Sequence, residues 1–172
     1  GSGNDQIEAG AGNDQIIAGN GNDVVNAGSG DDNISDGVGN DQVNAGGGDD
    51  FVQAGEGTDQ FDGGEGDDTI SFALEMGSSG VVLDLETGSA TNTDGAEETA
   101  INFENVIGGS GADTITGDSG DNYLFGAAGD DTITGGAGVD NIDGGLGADT
   151  IISSLGNDTI TGGDGSDTVI FA

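Results

Sequence analysis

Apolar residues recur along this chain at intervals of nine, and most of them have polar neighbours on both sides. Alternate residues of a strand face opposite sides, so one inward apolar residue between two polar ones predicts a short strand. The pattern occupies two blocks. The apolar positions are Ile7, Ile16, Val25, Ile34, Val43, Val52, Phe61 and Ile70, followed by Ile115, Leu124, Ile133, Ile142, Ile151, Ile160 and Val169.

Most of these apolar residues follow a Gly-x-Gly-x-Asp segment, such as Gly19 to Asp23. Glycine adopts positive φ without penalty, so this segment predicts a tight turn with converging carbonyl groups. One unit then gives one turn and one strand, and two units close a coil. We therefore predict an all-β fold, a right-handed parallel β-roll with 18 residues per coil and two short parallel sheets.

The charge of the chain changes this picture, because 34 acidic residues stand without one Lys, Arg or His. Self-repulsion of that size opposes a compact state. An acidic disordered segment or a salt-adapted surface would scatter its acids, whereas these are periodic. A chain without cationic side chains excludes nucleic acid as a partner, and no apolar run is long enough for membrane insertion. The chain also lacks the bases and nucleophiles of most enzymes, which predicts no catalytic activity.

The periodic Asp residues are the candidate metal ligands. With 18 residues per coil, every second Asp stacks in one row, about 4.8 Å from the next. Calcium binds six to eight oxygens and would turn such a row of like charges into a row of ligands. We expect Ca²⁺ as the cofactor, roughly ten ions or more on this spacing. The ligands are Asp5, Asp14, Asp23, Asp32, Asp41, Asp50, Asp59, Asp68, Asp113, Asp131, Asp140, Asp149, Asp158 and Asp167.

The repeat resembles the Gly/Asp nonapeptide of the RTX (repeats-in-toxin) calcium-binding family, the haemolysin-type repeat block. The resemblance implies a structural module of a secreted bacterial protein, exported unfolded through a type I channel and folded by extracellular calcium. It also implies location outside the cell or at its surface. The sequence departs from the pattern at Asn122, which replaces Asp, and at Asp118 and Ala127, which replace glycines. We expect a weak metal site there. Alanine replaces the first glycine at Ala9, Ala18, Ala27, Ala45 and Ala54.

An interruption at 73–108 separates a block of eight units, 1–72, from a block of seven, 109–172. Its 36 residues equal four units, so the second block resumes in phase. We predict two irregular coils that continue the roll as one structural unit, with a turn at Glu86-Thr87-Gly88. A loop packed on the roll is the alternative, and 92–98 is a candidate functional loop.

Other functions stay open beside the calcium-dependent module. Adhesion, or assembly into a surface layer or fibre, would make neighbouring copies the partner, besides calcium ions and the rest of a larger secreted chain. An ice-binding surface is a further alternative, because Thr114, Thr132, Thr150 and Thr168 should align on one outer face.

Overall fold

A computed structural model describes residues 1–74, 80–92 and 95–171. Within these residues it contains 21 strands in two large sheets and one two-stranded sheet, and no helix that could cross a membrane. The strands are β1 (Gln6–Ala11), β2 (Gln15–Asn20), β3 (Val24–Ser29), β4 (Asn33–Val38), β5 (Gln42–Gly47), β6 (Phe51–Gln53), β7 (Gln60–Glu65), β8 (Thr69–Ser71), β9 (Val82–Asp84), β10 (Ser89–Thr91), β11 (Glu97–Ile101), β12 (Asn105–Ile107), β13 (Thr114–Thr116), β14 (Tyr123–Phe125), β15 (Thr132–Thr134), β16 (Asn141–Asp143), β17 (Leu146–Gly147), β18 (Thr150–Ser153), β19 (Thr159–Thr161), β20 (Asp164–Gly165) and β21 (Thr168–Phe171).

In both repeat blocks the strands pass alternately to the two large sheets. The first sheet has the order β1-β3-β5-β7-β11-β10-β9-β13-β15-β18-β21, and the second β19-β16-β14-β12-β8-β6-β4-β2. Paired residues lie 18 apart, as in Val25↔Val43 of the first sheet and Ile16↔Ile34 of the second. This register confirms the predicted all-β parallel roll with 18 residues per coil.

The core lies between the two sheets and consists of the periodic apolar side chains. Val25, Ile34 and Ile133 are at most 1% exposed, and their strand neighbours face outward as period two requires. Burial falls off in the terminal coils, where Val169 is 38% exposed.

The interruption adds unequal numbers of strands to the two sheets. β9, β10 and β11 enter the first sheet between β7 and β13, whereas β12 alone separates β8 from β14 in the second. β10 runs antiparallel to both neighbours. The predicted turn at Glu86-Thr87-Gly88 is confirmed, since the Gly88 N–H donates to the Asp84 carbonyl at 2.9 Å.

This arrangement differs from the two irregular coils that we expected, because the chain reverses twice within one sheet before it returns to the other. The division into 1–72, 73–108 and 109–172 stays a prediction. The candidate loop at 92–98 falls partly outside the described residues, since 93 and 94 are not described.

Four threonines of the second block form one outer row, as the spacing predicts. Thr114 pairs with Thr132, Thr132 with Thr150 and Thr150 with Thr168. The neighbouring row is interrupted where Thr134 pairs with Ile152. An ice-binding role for this face stays a prediction.

Candidate metal centre

Each periodic Asp lies just before a strand, at the end of a glycine turn. Those that precede first-sheet strands form what we call the first row, and those that precede second-sheet strands form the second row. Ten of the fourteen are at most 2% exposed. The other four lie in the terminal coils and are less buried: Asp5, Asp14, Asp158 and Asp167.

From the second coil onward, one carboxylate oxygen of each stacked Asp accepts a backbone hydrogen bond from the chain before it. The backbone N–H of Asp23 donates to Oδ1 of Asp41 at 2.6 Å, and that of Asp50 donates to Oδ1 of Asp68 at 2.8 Å. The same bond recurs in the second block, from the Asp131 N–H to Asp149 at 2.9 Å. These bonds hold the carboxylates in register along both edges of the roll.

The second carboxylate oxygen, Oδ2, is buried without a hydrogen-bond partner in much of the described chain. Such an oxygen costs several kcal/mol when it carries charge away from water, and the sequence has no cationic side chain to offset it. Carboxylate oxygens in this state are suitable ligands for a hard cation, so the residues fit calcium. The residues with this buried Oδ2 in the two rows are Asp14, Asp23, Asp32, Asp41, Asp50, Asp68, Asp131, Asp140 and Asp149.

The glycine turns bring backbone carbonyl groups close to the same edges. Gly39 has φ of 141°, and a Cβ there would overlap the carbonyl oxygen of Gly21 in the coil before. Gly147 has φ of 142° and stands in the same relation to Gly129. Only glycine permits both this φ and this approach. The carbonyl oxygens of the turns are therefore available beside the carboxylates to complete an oxygen shell.

Burial also alters the protonation of the carboxylates. Burial, and then the charges of Asp113 and Asp149, raise the pKa of Asp131 to about 7. Burial, and then the charge of Asp50, raise the pKa of Asp68 to about 6. Burial likewise raises the pKa values of Asp41 and Asp140. The ionised rows are thus unfavourable in the folded chain until a cation offsets them.

Asn122 occupies the place of an Asp in the second row and replaces charge by hydrogen bonds. Its Oδ1 accepts from the Asp118 N–H at 3.0 Å. Its Nδ2 donates to the Glu104 carbonyl at 2.9 Å and to the Asp118 carboxylate at 3.2 Å. An amide therefore meets the needs of this position without a cation, and the weak metal site that we expected here stays a prediction.

Asp113 differs from the other buried Asp residues because backbone groups satisfy both of its oxygens. The Val81 N–H donates to Oδ1 and the Gly109 N–H to Oδ2, each at 2.7 Å. Its role as a ligand stays a prediction, and the bond from Val81 joins the interruption to the second block.

Two glutamates of the interruption also belong to the rows, although neither was predicted from the sequence as a ligand. Oε2 of Glu104 accepts from the Asp68 N–H at 2.8 Å, in the place of the next Asp. Its number, 36 after Asp68, keeps the nine-residue phase, so counting through the interruption would have found it. Glu98 is 3% exposed and lies beside Asp59, because Thr99 pairs with Gln60. It is out of phase, and no signal in the sequence identifies it.

The family model of the RTX calcium-binding nonapeptide repeat matches four stretches, 1–34, 35–70, 107–142 and 143–171. No curated protein matches the chain. Among solved structures, the chain is similar to the extracellular lipase LipA from Serratia marcescens, with 21% identity over 83% of this chain and a TM-score of 0.35. The chain spans 32% of the length of that lipase.

Proposed function

Because the chain belongs to the family of RTX calcium-binding nonapeptide repeats, we propose that it is a calcium-dependent folding module of a secreted bacterial protein. The observation that carries the proposal is the buried, unpartnered Oδ2 atom repeated along both rows. In a chain with a formal charge of −34 and no cationic side chain, calcium is the group that lets these rows ionise within a fold.

The same rows explain why folding should depend on calcium. A cation that bridges successive coils binds the folded chain and not the extended one, so its binding free energy adds to the free energy of folding. Without it, stacked carboxylates repel one another at one strand spacing, about 4.8 Å. The glycine-rich chain also loses more backbone entropy on folding than an ordinary chain does.

Calcium dependence supplies a reason for secretion. A chain that is unfolded where calcium is scarce can pass through a type I channel, and it folds where calcium is abundant. In this proposal the roll has no catalytic role, and any toxin, adhesin or enzyme activity belongs to other parts of the secreted protein. Adhesion and fibre formation by the roll itself stay predictions.

Far-ultraviolet circular dichroism during a calcium titration tests the proposal. We expect a disordered spectrum in chelator, a cooperative gain of β signal on addition of calcium, and its loss when chelator returns. Magnesium at the same concentration is the control, because it prefers a smaller octahedral shell and keeps its water. A β spectrum that persists in chelator at neutral pH would overturn the proposal.

A further inference from the structure

The residue five positions before each periodic Asp, which we call the pre-turn residue, faces the carboxylate of that Asp. Where it is Ser153, its hydroxyl donates to Oδ2 of Asp158 at 2.8 Å. Where it is Gly144, an added Cβ would overlap Oδ2 of Asp149. The chemistry of the pre-turn side chain therefore acts directly on the carboxylate that follows it.

Asp36 is the one pre-turn residue that carries a charge in this chain. Four other units of the first block place a buried methyl group at the same position, at Ala18, Ala27, Ala45 and Ala54. Asp36 is 0% exposed, and its Oδ1 accepts from the Gly37 N–H at 2.7 Å. Its Oδ2 is buried and has no hydrogen-bond partner.

The carboxylate of Asp36 meets those of two successive first-row residues. One oxygen from each of Asp36, Asp41 and Asp59 lies within 4.8 Å of the other two. Asp41 also has a buried Oδ2 without a hydrogen-bond partner. Oxygens that share one calcium at about 2.3–2.6 Å can lie as far apart as this. Three buried carboxylates converge here, whereas the regular repeat brings two.

The structure assigns to Asp36, Asp41 and Asp59 a tricarboxylate site for a hard cation, in which Asp36 adds a third carboxylate to a first-row pair. This site binds calcium more tightly than the two-carboxylate positions do. The inference rests on the proposed calcium-binding function and adds to it a ligand outside the nonapeptide pattern. Calcium affinity rises with the number of charged ligands. The ion at this site therefore fills first as the calcium concentration increases.

The chain allows one rival explanation for three carboxylates in contact. Without Lys, Arg or His nearby, the charge is offset by a bound cation or by a proton held on one carboxylate. Asp36→Asn separates the two, because an amide imitates a protonated acid but does not supply a charged ligand. Asp36→Ala reproduces the methyl group that other units of the first block place there, so this variant is expected to fold.

Equilibrium dialysis with calcium, on the 172-residue chain and its variants, tests the assignment. We expect Asp36→Ala and Asp36→Asn both to weaken the tightest ion by about tenfold or more, as expected for loss of a charged ligand, and to leave the weaker ions unchanged. Glu56→Gln is the matched control, because it removes the same charge from an exposed side chain of this region and should bind as the wild type does.

The outcomes separate this inference from the function on which it rests. If Asp36→Asn binds the same ions with the affinity of the wild type, Asp36 carries a proton and the tricarboxylate site is wrong, while the module still binds calcium. If the wild-type chain binds no calcium at all, the proposed function fails with it.

Discussion

The two repeat blocks build the same coil with different pre-turn residues. In the first block the pre-turn residue is usually alanine, whereas in the second it is glycine at six positions and serine at one. Except at Ala9, in the terminal coil, these alanine methyl groups are buried, as at Ala45. In the second block a Cβ at Gly144 would overlap Oδ2 of Asp149, so the carboxylate takes the space that a methyl group would need.

At the next residue along the chain, the first block is uniform and the second block varies. Four positions before each Asp, the first block has glycine in every unit, while the second also accepts Asp118, Ala127 and Ser154. Ala127 keeps the backbone of a glycine, with φ of 74°. The two blocks therefore show that the coil constrains space and backbone conformation near the carboxylate, and that different residues meet the constraint.

Acid should give the largest effect, because it acts on the carboxylates of both blocks together. The unfolded pKa of Asp is near 3.8, and in the fold it is raised to about 6 for Asp68 in the first block and about 7 for Asp131 in the second. Their contribution to the stability of the calcium-free roll is fully present below pH 3.8 and is lost as the pH rises to 6 and 7.

We therefore expect the chelated chain to gain β structure between pH 7 and about pH 4, measured by circular dichroism. Calcium affinity should fall over the same range, since protons compete for the ligand oxygens. Two separate acid transitions would show that the blocks fold independently. The prediction that they form one structural unit would then be wrong.

The features of the fold that the sequence predicts are those that follow from the nine-residue period. The pairs Val25↔Val43 and Ile16↔Ile34 follow from the repeat of nine, because a slip of one residue would turn every apolar side chain outward. The direction of β10 does not follow, since Ser89-Ala90-Thr91 alternates equally well in a parallel or an antiparallel strand. The burial of Asp36 follows only if the strand is extended past the apolar residue and its two neighbours, because Asp36 lies in β4 two residues after Ile34 and on the same inner face.

Exchange of pre-turn residues between the blocks tests the comparison directly. Gly144→Ala should destabilise the roll by about 3 kcal/mol, because its Cβ would lie 2.9 Å from the Cβ of Asp149 and overlap Oδ2 of that residue. The reciprocal Ala45→Gly should cost about 1–2 kcal/mol, from one lost buried methyl group and greater freedom of the unfolded chain. Urea unfolding at saturating calcium measures both.

Gly47→Ala is the control for the Gly144 variant. The nearest heavy atom to its added Cβ is 3.8 Å away, so we expect a change in unfolding free energy of less than about 0.5 kcal/mol. Equal losses of unfolding free energy for Gly47→Ala and Gly144→Ala would mean that overlap with the carboxylate at the pre-turn position does not cause the loss.

Restoring the acid at position 122 makes the second row regular. In chelator, Asn122→Asp should lower the free energy of unfolding of the acid-stabilised fold by about 2 kcal/mol. The two hydrogen bonds donated by Nδ2 are lost, and the new carboxyl group lies against that of Asp118. At saturating calcium the loss should shrink, with one more ion bound in equilibrium dialysis. The same loss with and without calcium would show that the row cannot accept an ion there.

The smallest effect concerns the backbone of the second block. Ala127 holds φ of 74°, a conformation that costs an ordinary residue about 1–2 kcal/mol and glycine almost nothing. Since glycine also increases the entropy of the unfolded chain, Ala127→Gly should stabilise the calcium-loaded roll by a net of about 0.5–1 kcal/mol. A matched change at Ala54, which has no positive φ, should instead destabilise it. If Ala127→Gly also destabilises the roll in urea, the backbone of Ala127 is not under strain, and this position does not require the glycine conformation that Gly136 and Gly145 adopt.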